Sequence, residues 1–88
     1  MKTEFKASFL KAIKKIKDQQ LKSEIAGTIK EVELAVDARQ IKHLKKLKGY
    51  KHYYRIRIKN HRIGLKIENE TVYFVDIDHR KNIYRYFP

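Results

Sequence analysis

With 88 residues, 22 Lys and Arg against 10 Asp and Glu, a formal charge of +12 and no cysteine, the chain reads as one small domain, residues 1–88, built on one modest core. The lack of cysteine excludes a disulfide framework and a thiolate zinc site, and no apolar run is long enough to span a bilayer. So large an excess of cations repels itself in a compact chain unless a partner supplies negative charge, and nucleic acid, an acidic protein or an anionic membrane surface would each qualify.

Residues 2–6, KTEFK, suggest a short leading strand. From Ala7, the spacing of Phe9, Leu10, Ile13 and Ile16 predicts an amphipathic helix ending near Asp18, its lysines turned to water. That stripe is no larger than a core requires, so the lysines suit solubility better than membrane binding. A second helix carries Leu21, Ile25, Ile29, Val32 and Val36 on one stripe, interrupted by Gly27. The short link between the helices implies an antiparallel hairpin.

Residues 37–52 place Ile41, Leu44 and Leu47 at helical spacing before Gly49, which predicts a loop with one helical turn. Strands follow at 53–59, 61–68 and 71–78, with turns at Asn60-His61 and Asn69-Glu70. A last extended segment runs from Ile83 to Phe87. The expected fold is α+β: an N-terminal helical hairpin packed on one face of a small, mainly antiparallel sheet.

Strand alternation sorts the side chains of that sheet. Ile56, Ile58, Ile63, Leu65 and Ile67 are expected to face the helices, with Tyr73, Val75 and Ile77 from the last long strand. Arg55, Arg57, Lys59, Arg62 and Lys66 then converge on the open side, with Gly64, Asp76 and Asp78. Between Asp37 and Glu68 there are eleven cations and no carboxylate, Lys45, Lys46 and Lys48 among them. Arg80 lies just past a strand end, and Tyr84 and Tyr86 share a face if their segment is extended. Guanidiniums attract phosphates and phenols stack unpaired bases, so this surface suits single-stranded RNA. His43, His52, His61 and His79 show no metal-binding spacing, so no metal or cofactor is expected.

The order of the helix pair, LKKLKG, YRIRI, Arg62, VDIDHRK with Arg80, and a tyrosine near the C-terminus resembles the RelE/ParE superfamily of type II toxin–antitoxin toxins. The likeness covers nearly the whole chain. For the RelE-like branch it implies ribosome-dependent, metal-independent cleavage of messenger RNA in the A site, the 2′-hydroxyl attacking its own phosphodiester to leave a 2′,3′-cyclic phosphate. Arg62 and Arg80 match the family's phosphate-stabilising arginines. Tyr86 matches its C-terminal tyrosine, with Tyr84 the competing choice. Arg55 and Arg57 stand where the best-known RelE-like member has lysines, and arginine is a poor general base. The proton-transfer candidates are therefore Lys59, Lys66, His61, His79, Tyr84 and Tyr86, with Asp78 in play because other branches use acidic residues. The resemblance also implies a cognate antitoxin bearing an acidic, apolar segment in a toxin–antitoxin hetero-oligomer, and a cytoplasmic setting. A ParE-like gyrase poison and an inactive RNA-binding relative are the alternatives.

Overall fold

The computed structural model describes all 88 residues. Strand β1 (Lys2–Phe5) leads into helix α1 (Ala7–Lys15) and helix α2 (Gln19–Leu34). Strands β2 (Leu44–Lys46), β3 (Tyr53–Ile58), β4 (His61–Glu68) and β5 (Thr71–His79) follow, and short 3-10 turns occupy Ala38–Gln40 and Ile83–Arg85. The sheet order is β1-β5-β4-β3-β2, parallel only between β1 and β5. Both helices cover one face, so the expected α+β architecture stands.

The helices end where local chemistry stops them. Helix α1 stops at Lys15, earlier than expected, because Ile16 already has an extended backbone and Asp18 is the cap of the next helix. The Asp18 carboxylate accepts from the N–H groups of Gln20 and Leu21, satisfying two donors that no helical turn can reach. Phe9, Leu21, Ile25 and Val32 pack against Ile56, Ile63, Leu65, Val72, Phe74 and Ile77 to form the core. Phe5 stacks on Phe74 at 5.0 Å, and Phe9 tilts against the same ring at 5.3 Å. Val36 does not belong to the stripe. It lies beyond the helix and is 80% exposed, while Ala35 takes the buried place.

Three features of the sheet depart from the sequence reading. Residues 37–52 contain the expected single turn, with Asp37 accepting from the Arg39 N–H, but also the edge strand β2. Its pairing puts Lys45 beside Arg55 and turns Lys46 to the helix side with Tyr54, while Lys48 falls in the following turn. The β3–β4 turn is at Lys59–Asn60 rather than Asn60-His61, and the left-handed backbone belongs to Lys59, at φ 51°. The expected Asn69-Glu70 turn forms with both residues left-handed, at φ 52° and 62°, the geometry that matches the twist of a hairpin.

The third departure is in β5, where Val72 and Phe74 enter the core instead of Tyr73 and Val75. Leu65 pairs with Phe74 and Gly64 with Asp76, so Val75 is an extra residue in a bulge. One extra residue reverses the alternation. Beyond it Ile77 is buried, and Asp76 and Asp78 face away from the helices as expected.

Candidate nucleic-acid interface

The face opposite the helices is set by cross-strand register. Tyr53 pairs with Lys66, Arg55 with Gly64 and Arg57 with Arg62, while Arg62 and Gly64 pair on their other side with Asp78 and Asp76. Lys45 joins them through its pairing with Arg55. Arg80 arrives from the end of β5, its backbone N–H held by the Asn60 carbonyl at 2.7 Å.

The centre of this face is closed. A 3-10 turn at Ile83–Arg85 replaces the expected extended segment, and Ile83 and Phe87 both end up buried. The Phe87 ring sits on Gly64, so close that a Cβ there would lie 2.7 Å from it, and meets Tyr53 edge-on at 5.7 Å. Gly64 is thus required by the close approach of an aromatic ring. The same turn separates Tyr84 from Tyr86, which are each about half exposed and do not share a face as an extended segment would make them.

The ring also divides the cations. On one side of it Lys66 leans over Tyr53 and pairs with Glu68 at 3.6 Å. On the other lie Arg55, Arg57, Arg62 and Arg80, none of them ion-paired; the chain's other ion pairs are Arg39–Asp37, His52–Glu68 and Lys59–Glu24. Lys59 is therefore absent from the open face. Its turn directs Nζ to Glu24 of α2, 3.4 Å away. The Arg62 Nη1 donates to the carbonyls of Lys59 and His61 at 3.0 and 2.9 Å, and Arg55 Nη1 donates to the His43 carbonyl at 3.2 Å. These bonds fix the two guanidiniums by one nitrogen and leave the others unclaimed. Partial burial, and then the like charges of Arg55, Arg57 and Arg80, hold the Arg62 guanidinium below its ordinary value, with the Tyr84 phenol opposing them. It remains a cation at any ordinary pH. A cluster of cations held together without counter-charge is a site in want of an anion.

Asp78 stands directly across from Arg62 yet does not pair with it. Its Oδ1 accepts from the His79 N–H at 2.7 Å and its Oδ2 accepts from the Tyr86 hydroxyl. Burial pushes the Asp78 carboxyl up, but the bonds from Tyr86 and His79 outweigh it and bring it below the usual carboxylate range. Burial, reinforced by Asp78, raises Tyr86 well above a free phenol. His61 and His79, paired across β4 and β5, lie on the helix side with ring centroids 5.8 Å apart. Burial, and then His79, lowers the His61 imidazole. His79 Nδ1 accepts from the Lys81 N–H at 3.2 Å. No helix is long and apolar enough to cross a membrane.

A model of the family described as the ParE toxin of the type II toxin-antitoxin system, parDE, matches residues 3–84. The chain is 38% identical to Toxin RelE3 of Methanocaldococcus jannaschii, with all of both chains covered. It also resembles a chain of the RelB-RelE antitoxin-toxin complex from Methanococcus jannaschii, with 36% identity, a TM-score of 0.80, and 97% of this chain and 99% of that one covered. The archaeal RelE-RelB complex from Pyrococcus horikoshii OT3 shares the fold at a TM-score of 0.73 and 14% identity, over 92% of this chain and 96% of that one. The arginine-bearing sheet, the full-length likeness to a RelE toxin and the family match agree, and the chain belongs to the RelE/ParE superfamily of type II toxin–antitoxin toxins.

Proposed function

We propose that this RelE-like toxin is an RNA endonuclease that cuts messenger RNA in the ribosomal A site. The observation that carries the reading is the cluster of Arg55, Arg57, Arg62 and Arg80, crowded together with no carboxylate partner. Attack of a 2′-hydroxyl on the adjacent phosphodiester builds a second negative charge on the phosphorane, and fixed guanidiniums stabilise that charge more than the ground state. Arg62 and Arg80 take this catalytic role, and Arg55, Arg57 and Lys45 hold flanking phosphates. Lys46 and Lys48, set off the face, add long-range attraction. The half-exposed rings of Tyr84 and Tyr86 stack the bases that the ribosome presents unpaired. The positive charge the scheme needs comes from the chain itself, so no metal is written into it. A ribosomal target places the protein in the cytoplasm.

The partner is a cognate antitoxin whose acidic, apolar segment covers the basic face in a hetero-oligomer. The relatives' structures with RelB support this, as does the net charge of +12. The ParE family match favours a second reading, in which the domain poisons DNA gyrase and cuts nothing. Timing in cells expressing the toxin separates the two. The nuclease reading expects protein synthesis to stop first with plasmid supercoiling unchanged. Early loss of supercoiling with translation intact would favour the gyrase reading.

A further inference from the structure

Beyond Phe74 the outer edge of β5 has no partner strand, because β1 ends at Phe5. Helix α1 lies alongside that free edge, its Ser8 hydroxyl donating to the Val75 carbonyl, and the two enclose a groove of about 700 Å3. That volume is within the range typical of small-molecule sites. The floor is apolar, made by Ala12, Ile16, Leu21 and Ile77. The walls differ in sign. Lys11, Lys15 and Lys17 stand on the α1 side, exposed and without ion pairs, while Asp76 and Asp78 stand on the β5 side. The two β5 carboxylates are not equivalent. Both oxygens of Asp78 are taken, by the His79 N–H and the Tyr86 hydroxyl. Asp76 accepts only from the N–H of the next residue, Ile77, through Oδ1 at 2.8 Å, so its Oδ2 has no donor from the chain. Burial raises the Asp76 carboxyl above its ordinary value, and Lys15 opposes this only from a distance. A half-buried carboxylate short of donors gains from a ligand that brings one.

A ligand that satisfies all three surfaces has a flat apolar body, an anion on one side and a hydrogen-bond donor on the other. A nucleotide is such a molecule. We infer that the groove between α1 and β5 is a nucleobase subsite for the messenger RNA, in which Asp76 accepts from the exocyclic amino group of the base and the α1 lysines hold its phosphate. The inference rests on the nuclease reading for the messenger as partner, and it names Asp76 as a specificity-determining residue. The groove adjoins the arginine cluster, since Asp76 pairs with Gly64 and Asp78 with Arg62 across the β4–β5 ladder. A strand of RNA with a phosphate at Arg62 therefore reaches the groove with a neighbouring nucleotide. Asp76 discriminates by the polarity of the base edge. Cytosine turns its N4 amino group to such a carboxylate, whereas uracil, of the same size, presents the O4 carbonyl there, whose lone pairs oppose those of Oδ2. Asp76 selects the base and moves no proton.

The test begins on the isolated protein, with CMP and UMP as probes and the NMR shifts of its backbone amides as the readout. A contact that reads a base edge discriminates by about fivefold at the low end, so CMP is expected to bind about fivefold tighter than UMP in so open a groove. Asp76→Asn is the informative variant. Its amide oxygen can keep the bond from the Ile77 N–H, which turns the NH2 group into the groove. The preference is then expected to reverse toward UMP, a change that a merely structural role would not make. Lys15→Gln is expected to weaken both nucleotides alike, because a phosphate contact carries no base identity. Equal binding of CMP and UMP to wild type, an unchanged preference in Asp76→Asn, or shifts confined to residues outside the groove would overturn the subsite. The second arm uses programmed ribosomes with messages that differ by a single cytosine-to-uracil change at each position in and beside the A-site codon. Wild type is expected to cut the cytosine message faster at one of those positions, and Asp76→Asn to lose that preference. Cutting that ignores the change at every position would overturn the assignment to the messenger. No cleavage of any message, with CMP still preferred by the isolated protein, would remove the nuclease reading and leave the nucleobase subsite standing.

Discussion

A double Arg62→Ala, Arg80→Ala variant is expected to be folded and to have lost its ability to arrest growth. Both side chains are on the face away from the core, and neither is ion-paired. The structural cost of losing Arg62 is its two bonds to the Lys59 and His61 carbonyls, about 1 kcal/mol each at part-exposed positions. The functional cost is larger. Removing one donor from a site that stabilises developing negative charge typically slows a reaction by roughly 10²–10³-fold. Two are removed here, from a cluster whose members already crowd one another. Growth on inducing medium, together with a thermal melt of the purified variant, reads both effects. Full toxicity in the folded double variant would contradict the assignment.

The second large effect is expected at a residue with no side chain. Gly64→Ala should unseat the C-terminal segment, since the new Cβ would lie 2.7 Å from the Phe87 ring, nearer than any real contact allows. Phe87 is only 3% exposed and Ile83 fully buried, so the ring has little room to yield, and displacing it returns its area to water. Overpacking of this kind costs on the order of 1–3 kcal/mol, and Phe87→Ala, which removes the ring itself, about 3 kcal/mol or more. The functional consequence follows from the tail's position. Tyr84 and Tyr86 lie between the buried anchors Ile83 and Phe87, and the bond from Tyr86 to Asp78 depends on that seating. Gly64→Ala is therefore expected to lower both the melting temperature and toxicity. An unchanged melting temperature would show that the ring is not seated on Gly64.

What could be read in the residues alone was whatever repeats. The two helices followed from apolar side chains three and four residues apart, and β3 and β4 from strict alternation, so the two faces of that hairpin were legible before any coordinates. The misses have local causes. Strand β2 is three residues, Leu44–Lys46, too short for a period and rich in lysine. Such charge also discourages further pairing at an edge. The bulge at Val75 reverses the parity of β5, and nothing in TVYFVDID announces where the extra residue falls. The terminal segment alternates tyrosine with other residues as a strand would, but tertiary burial of Ile83 and Phe87 imposes a turn.

The candidate site was legible to the same extent. Arg55, Arg57 and Arg62 were placed by the alternation of β3 and β4, and Lys45 needed the strand that was missed. Lys59 was assigned to the open face by extending β3 one residue too far. Asp78 was correctly placed on that face, but its bond to Tyr86 depends on the tail's turn and has no signature in the spacing of the two residues.

The central claim is that the arginine face cuts messenger RNA on the ribosome. It is tested most directly by mapping, at single-nucleotide resolution, the ends of a defined messenger RNA incubated with the purified toxin, with and without programmed ribosomes. The account predicts cuts inside the A-site codon only when ribosomes are present, 2′,3′-cyclic phosphate on the upstream fragment, 5′-hydroxyl on the downstream one, and no cuts with Arg62→Ala. Messenger RNA left intact by a folded preparation that still arrests growth would contradict it.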